Sequence, residues 1–266
     1  MKVSKVAIIG GGNLGTAIAR GLLSKGLFTP GQIAITRRRT ALLADLKAQG
    51  LWVSNNNAEA ATAAQVVFLG VKPYQVEKVL KEIAPVLTEN TLLISLATGV
   101  ASTTLQSYCS VQLPIFRAMP NTAIEIGESM TCISSYKATQ AQEEQVVQLF
   151  AQMGQALIIP EELMAAATVL AACGIAYAMR FIRAATQGGI EIGFGSRLAA
   201  QISAQTIKGA ADLLIQKGTH PEDEIDKVTT PRGVTISGLN EMEHQGFSSA
   251  LIKGLLTSFN KIQKGQ

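Results

Sequence analysis

The stretch Val6-Ala7-Ile8-Ile9-Gly10-Gly11-Gly12-Asn13-Leu14-Gly15 decides the fold: an apolar run breaks into glycines and gives way to a helical pattern over residues 16–25. This order predicts a buried strand, a tight turn and a helix. A helix starting there aims its unpaired N–H groups and the positive end of its dipole at whatever lies over the turn, and a pyrophosphate is the usual occupant. Gly10 permits the sharp exit from the strand, Gly12 lets phosphate approach the backbone, and Gly15 lets the helix pack close to the strand. Glycine-rich turns also serve purely structural ends, so the weight of the reading rests on the position between strand and helix.

Working outward, short β-branched runs at 33–36, 52–54, 66–71, 91–96, 115–118, 131–134 and 156–159 read as further strands. Helical patterns fall between them at 41–49, 75–86 and 140–153, the last opened by a capping box at Thr139 to Gln142 and closed by Gly154 as a C-cap. Such alternation predicts an α/β protein with a Rossmann-like, doubly wound and mostly parallel sheet. After Pro160 only helical periodicity remains, over 161–187, 196–217, 221–228 and 234–263, with breaks at Gly188-Gly189, Gly193 to Gly195, Gly218 and Pro231. The expected organisation is a dinucleotide-binding domain, residues 1–160, followed by an all-helical domain, residues 161–266.

Composition narrows the function classes. Charged residues make up 16% and apolar residues 47%, which is charge-poor and points to surface lost in self-association, hence a homo-oligomer. The net charge of +4 is spread out, with no basic cluster longer than Arg37-Arg38-Arg39, so nucleic acid is not an expected partner. Cys109, Cys132 and Cys173 form no Cys-x-x-Cys unit, and His220 and His244 are the only histidines, so neither a metal site nor a disulfide framework is expected. The N-terminal apolar run is too short for a secretory signal, which makes the cytoplasm the expected location. Residues 163–179 lack any charge, but they are largely alanine, and a buried helix rather than a membrane span is expected there.

An NAD site usually ends its second strand on a carboxylate that bonds the ribose hydroxyls. Here the strand ends Ile35-Thr36-Arg37-Arg38-Arg39, and a hydroxyl with a guanidinium suits an adenosine 2′-phosphate, so NADP(H) is the expected cofactor.

Three further segments carry a resemblance. Val71-Lys72-Pro73, Arg117-Ala118-Met119-Pro120-Asn121-Thr122 and the run from Asp226 through Thr230-Pro231-Arg232-Gly233-Val234-Thr235-Ile236 are similar to the signatures of the pyrroline-5-carboxylate reductase family. With the N-terminal glycines they keep order and approximate spacing over essentially the whole chain. The resemblance implies NADPH-dependent reduction of the cyclic imine 1-pyrroline-5-carboxylate to proline, on a Rossmann domain followed by a helical dimerisation domain, with dimers often built into larger rings. Carried over residue by residue, it implies phosphate contacts at Gly12, Asn13 and Leu14 with Gly10 in the same cofactor-binding turn, the 2′-phosphate near Thr36 and Arg37, and ribose or adenine near Asn57. Val71, Lys72, Pro73, Ala97 and Gly99 would flank the cofactor. Met119 and Asn121 would shape the substrate pocket. Thr230, Gly233, Val234 and Thr235 would form a nest for the substrate carboxylate, with the Thr235 hydroxyl near the ring nitrogen as the catalytic group.

The chemistry suits a chain with two histidines. A protonated imine is already electrophilic, so hydride transfer needs orientation and carboxylate binding more than a dedicated acid. Two departures from the family stand out. Its Ser-Gly-Ser-Gly-Pro-Ala-Tyr stretch is here Ala171-Ala172-Cys173-Gly174-Ile175-Ala176-Tyr177, and the first glycine of its Ser-Pro-Gly-Gly is Arg232. They leave open a relative acting on a different imine or carbonyl, and a catalytically silent NADP-binding protein that works through its dimer surface. A β-hydroxyacid dehydrogenase requires a lysine on the inter-domain helix, whereas residues 163–187 contain only Arg180 and Arg183 as cations.

Overall fold

A computed structural model describes residues 4–264. Its strands are β1 (Val6–Ile9), β2 (Ile33–Thr36), β3 (Trp52–Ser54), β4 (Val66–Leu69), β5 (Leu92–Ser95), β6 (Ile115–Met119), β7 (Ser129–Tyr136) and β8 (Gly154–Ile158). They form one sheet in the order β3-β2-β1-β4-β5-β6-β7-β8. Neighbouring strands are parallel from β3 through β6, β7 runs antiparallel to β6, and β8 is parallel to β7. β1 stands directly between β2 and β4, with Val6 beside both Ile33 and Val66.

All four residues of β1, β2, β4 and β5 are buried, because helices cover both faces. Val6, Ile8, Phe68 and Ile94 enter one core with Phe116 and Phe150, and Ala7, Ile9, Val67, Leu69 and Leu93 enter the other. Phe68 and Phe150 meet edge to face at 5.9 Å. Chain order reverses across β1 and β4, so their carboxyl ends open a crevice at the topological switch point.

Several helix bounds differ from the periodicity. The first helix is Asn13–Ser24 and begins three residues early, directly at the glycine turn with Gly12 as its cap. Short helices Asn57–Ala61 and Ser102–Ser107 have too few turns to show a period. Thr139 forms its capping box, but helix Gln140–Ala151 ends on Gln152; Gly154 instead opens β8 at φ +137°, where a Cβ would sit 2.1 Å from the Ser129 carbonyl oxygen.

The described chain divides into two compact units, one holding the sheet through Cys173 together with the stretch from Ser258, and the other Gly174–Thr257. The division falls after the expected 160 because Met164, Ala165, Ala167, Thr168 and Val169 are buried in the first unit, where this helical run packs on β6 and β7. A π-turn, Thr168–Cys173, connects helix Met164–Ala167 to Gly174–Glu191. Burial of the apolar segment therefore holds only for its first turns: Leu170 and Met179 are exposed in the single chain, and Tyr177 is half-buried.

In the second unit the helices are Gly174–Glu191, Ser196–Lys217, Pro221–Lys227, Val234–His244 and the start of Phe247–Lys264. Gly188-Gly189 does not break the first of these. A Cβ on Gly189 would lie 3.1 Å from the Ala199 methyl, so the glycine serves close packing of two helices. That helix ends at Glu191, just before Gly193 at φ +110°, and Gly246 at φ +80° divides the expected 234–263 helix in two.

Candidate active site

The glycine turn is built by close approach of backbones. Gly10 has φ +112°, and a Cβ there would lie 2.6 Å from the Gly70 carbonyl oxygen at the end of β4. A Cβ on Gly15 would fall 2.1 Å from the Gly10 carbonyl oxygen, so neither position admits another residue without moving the turn. Around Gly12 the space is open. Gly12 also gives its helix no side-chain cap, which leaves the first-turn N–H groups of Asn13, Leu14 and Gly15 aimed outward.

A cleft of about 1040 Å³ lies over this turn, and its lining includes Gly10, Gly12, Thr36, Arg37, Asn57, Val71 and Lys72. It carries five cations, Arg37, Arg38, Arg39, Lys72 and Lys78, against the single carboxylate Glu82. An anion-accepting helix end beneath a cationic rim is what a phosphorylated dinucleotide requires, so these residues fit such a cofactor.

The two residues expected at the 2′-phosphate differ in what they offer. Thr36 is buried, and its hydroxyl accepts from the Gly10 amide at 3.3 Å and donates to Asn57 Oδ1 at 2.7 Å. Asn57 in turn donates from Nδ2 to Glu82 at 3.1 Å. Thr36 thus pins the glycine turn to Asn57. Arg37 is half-buried and donates to the Gly11 carbonyl at 2.8 Å, which holds its guanidinium beside the turn. Arg38 and Arg39 are exposed.

Farther along the carboxyl edge, Lys72 caps a short turn over Pro73–Gln75, with its amide donating to Gln75 Oε1, and its ammonium is exposed. Val71 packs into the second core. Ala97 is buried after β5, and Gly99 takes φ +77° in the loop that follows. Met119 ends β6 with its side chain buried. Asn121 accepts from the Ala123 amide at 3.0 Å and donates from Nδ2 to the Ala171 carbonyl at 3.2 Å, inside the π-turn.

The second unit holds the Thr230 to Thr235 segment. The Gly233 amide donates to the Thr230 carbonyl at 2.9 Å across Pro231 and Arg232, and Arg232 has φ +60°, as a type II turn demands of its third residue. A Cβ on Gly233 would meet the Thr230 hydroxyl at 2.6 Å. Gly233 caps helix Val234–His244, so Val234 and Thr235 are its first two residues, and both are exposed. Their N–H groups belong to the unsatisfied set at a helix start. His220 also caps a helix, its Nδ1 accepting from the Glu222 amide at 3.3 Å.

Sequence reasoning passed over Tyr74, Lys78 and Glu82 in the cleft, and the Ser102, Arg117 and Glu161 cluster. Lys78 and Glu82 were legible as the polar face of helix Val76–Ile83, whose buried positions are 76, 79, 80 and 83. Burial pushes the Cys109 thiol up to about 11 and raises that of Cys132. These thiols are poor nucleophiles.

Fold and cleft together define a Rossmann-type, dinucleotide-binding oxidoreductase with a helical second unit. Residues 161–264 match the pyrroline-5-carboxylate reductase dimerisation family, and residues 5–99 match a family described as NADP oxidoreductase, coenzyme F420-dependent. Pyrroline-5-carboxylate reductase 2 of Dictyostelium discoideum is 42% identical, over 98% of this chain and 93% of that protein. Pyrroline-5-carboxylate reductase 1 of the same organism is 45% identical over 96% of this chain, which spans about half, 49%, of that longer protein. Among solved structures, the Plasmodium falciparum pyrroline carboxylate reductase with NADP bound superposes with a TM-score of 0.89 at 25% identity, covering 99% of this chain and 98% of that one. The chain belongs to the pyrroline-5-carboxylate reductase family.

Proposed function

We propose that this chain reduces 1-pyrroline-5-carboxylate to L-proline with NADPH. The observation that carries the reading is the cationic cleft at the switch point, read together with family membership. When bound there, NADPH supplies the hydride. Helix start Asn13–Gly15 would hold the pyrophosphate, and Arg37 would pair with the 2′-phosphate while Thr36 and Asn57 keep the turn in shape. Ala97, Gly99, Val71 and Pro73 would flank the reactive end of the cofactor. In the second unit, the amides after Gly233 would bind the substrate carboxylate, and the Thr235 hydroxyl would hydrogen-bond the ring nitrogen.

Steady-state oxidation of NADPH and of NADH with the pyrroline substrate tests this. Turnover with preference for NADPH is expected, and no turnover at millimolar imine would overturn the reading. Thr235→Ala should cut turnover far more than NADPH affinity, and equal losses would remove Thr235 from the chemistry.

We further infer a homodimer formed through the helical second unit, with dimers joined into a larger homo-oligomer through a second surface, working in the cytoplasm. Phe194, Leu198, Ile202, Met242, Leu251 and Ile252 are all exposed in the single chain, apolar side chains that a second copy would cover. The run Glu161–Glu191 is long and apolar enough by length and composition to cross a membrane. Coverage by a second copy is favoured because the dimerisation family model spans this run. A monomeric mass by light scattering would sink this inference.

A further inference from the structure

One oxygen of Glu161 gathers three donors from elements that end at the site. Oε1 accepts from the Ser102 amide at 2.8 Å, the Ser102 hydroxyl at 2.8 Å and Arg117 Nη1 at 2.9 Å. Ser102 opens helix Ser102–Ser107, whose cap residue Ala101 has no side-chain acceptor, so Glu161 supplies the cap from a distant part of the chain. The Ala97 to Gly99 loop immediately precedes that cap. Arg117 is 4% exposed, lies two residues before Met119 on β6, and its buried Nε has no partner. Glu161 itself begins the helical run whose π-turn receives the Asn121 amide.

An ion pair with one buried and one half-buried partner is weak evidence for stability, since removing charges from water offsets much of their attraction. Geometry is what this arrangement provides. Burial alone would lift the Glu161 carboxyl, but the Ser102 amide, the Arg117 guanidinium and the Ser102 hydroxyl together hold it below the usual carboxylate range, so it stays charged. Beside it lies a cavity of about 540 Å³ lined by Gly99, Val100, Ala101, Thr104, Arg117 and Glu161. The loop thus has room to shift once it is untied.

We propose that Glu161 is a positioning residue for hydride transfer: it locks the loop after β5 and the Met119 to Asn121 segment in one arrangement before cofactor and imine bind. It would act through these segments rather than on either ligand. The proposal rests on the functional reading above, in which the loop after β5 flanks the reactive end of the cofactor, and on the family resemblance, which implies that Met119 and Asn121 shape the substrate pocket.

Three variants of the full chain test it: Glu161→Ala, Glu161→Gln, which keeps an acceptor oxygen, and Ser102→Ala. Amide exchange of the peptide covering 97–105, measured without ligand, reports the lock independently of activity. In Glu161→Ala that exchange should accelerate while the 6–20 peptide stays unchanged. Its kcat should fall on the order of 10²-fold, as for a small misplacement of a reacting group, with NADPH Kd moving by less than about threefold. Glu161→Gln should recover most of kcat, and Ser102→Ala should fall between. If Glu161→Ala only lowers Tm and leaves kcat and exchange intact, the proposal is wrong. Should the alanine variant fail to fold, unaltered exchange and kcat in Ser102→Ala overturn it equally. A wild type that exchanges as expected but does not reduce the imine would fail the functional reading alone, with the exchange data still deciding whether Glu161 locks the loop.

Discussion

Thr36→Val separates two roles for one side chain. From the sequence, Thr36 stands where a 2′-phosphate would accept its hydroxyl; in the fold that hydroxyl is buried between the Gly10 amide and Asn57 Oδ1. Valine keeps the shape and deletes both hydrogen bonds. At roughly 1 kcal/mol net for each bond, less a gain of about 0.8 kcal/mol for the added buried methyl, the loss is about 1–1.5 kcal/mol. For a chain of this size that lowers Tm by about 2–6 °C.

Cofactor binding gives the sharper readout. Because the hydroxyl serves the turn that both nicotinamides share, Thr36→Val should weaken NADPH and NADH in parallel and leave their ratio unchanged. Isothermal titration with the two reduced cofactors measures this directly. A drop of about tenfold in the NADPH preference, worth about 1.4 kcal/mol, with no loss of Tm would refute the reasoning and put the hydroxyl on the 2′-phosphate.

Arg37→Ala should behave oppositely, weakening NADPH selectively by about 1.5–3 kcal/mol as a charge-assisted contact is lost, and an unchanged preference would remove Arg37 from the site. Arg232→Gly should relieve the φ +60° strain and raise stability by up to about 1 kcal/mol by urea melts, because the left-handed cost of about 1–2 kcal/mol is partly offset by glycine's unfolded-state entropy; a destabilised variant would mean that the arginine side chain makes a contact that outweighs its backbone cost. Gly15→Ala should abolish cofactor binding, since its Cβ overlaps the Gly10 carbonyl oxygen; wild-type Kd would show that the turn relaxes freely. For Glu161 the folded carboxyl titrates below its usual 4.5, so its contribution to stability is complete above that pH and disappears as pH falls through the folded value. Acid titrations of wild type and Glu161→Gln should therefore converge at low pH, and parallel curves would count against the pair.

What the sequence made legible follows from local physics. β1, the glycine turn and its helix were readable because apolar continuity and glycine placement are local signals. The doubly wound, mostly parallel sheet followed from the alternation of strands and helices, whereas the strand order that sets β1 beside β4 has no local signal. Helices Asn57–Ala61 and Ser102–Ser107 were missed because one or two turns carry no period, although Asn56 caps the first of them through its side chain. Glu161 was passed over for another reason. Its partners Ser102 and Arg117 are 59 and 44 residues away, and no local pattern marks a carboxylate that caps a helix across the fold. Thr36 lines the cleft, but the direction of its hydroxyl depends on Asn57, which the sequence sets 21 residues later.

The two departures from the family pattern have different structural weight. Arg232 occupies the left-handed position of the Pro231 turn, where glycine is the low-cost residue, yet the Gly233 to Thr230 hydrogen bond is made. The turn's shape therefore survives with a cation added to it. Ile175 replaces a proline, and a proline there would lack the N–H that helix geometry directs to the carbonyl four residues earlier, that of Ala171. In this chain the same carbonyl lies in the π-turn and accepts the Asn121 side-chain amide at 3.2 Å. A π-turn shifts the helix hydrogen-bond register much as a proline interrupts it, so a carbonyl is made available to Asn121 by backbone conformation rather than by residue type. Ile175 therefore stands where the hydrogen bond from Asn121, at the end of β6, to the π-turn is made without a proline, whereas Arg232 adds a charge to its own turn.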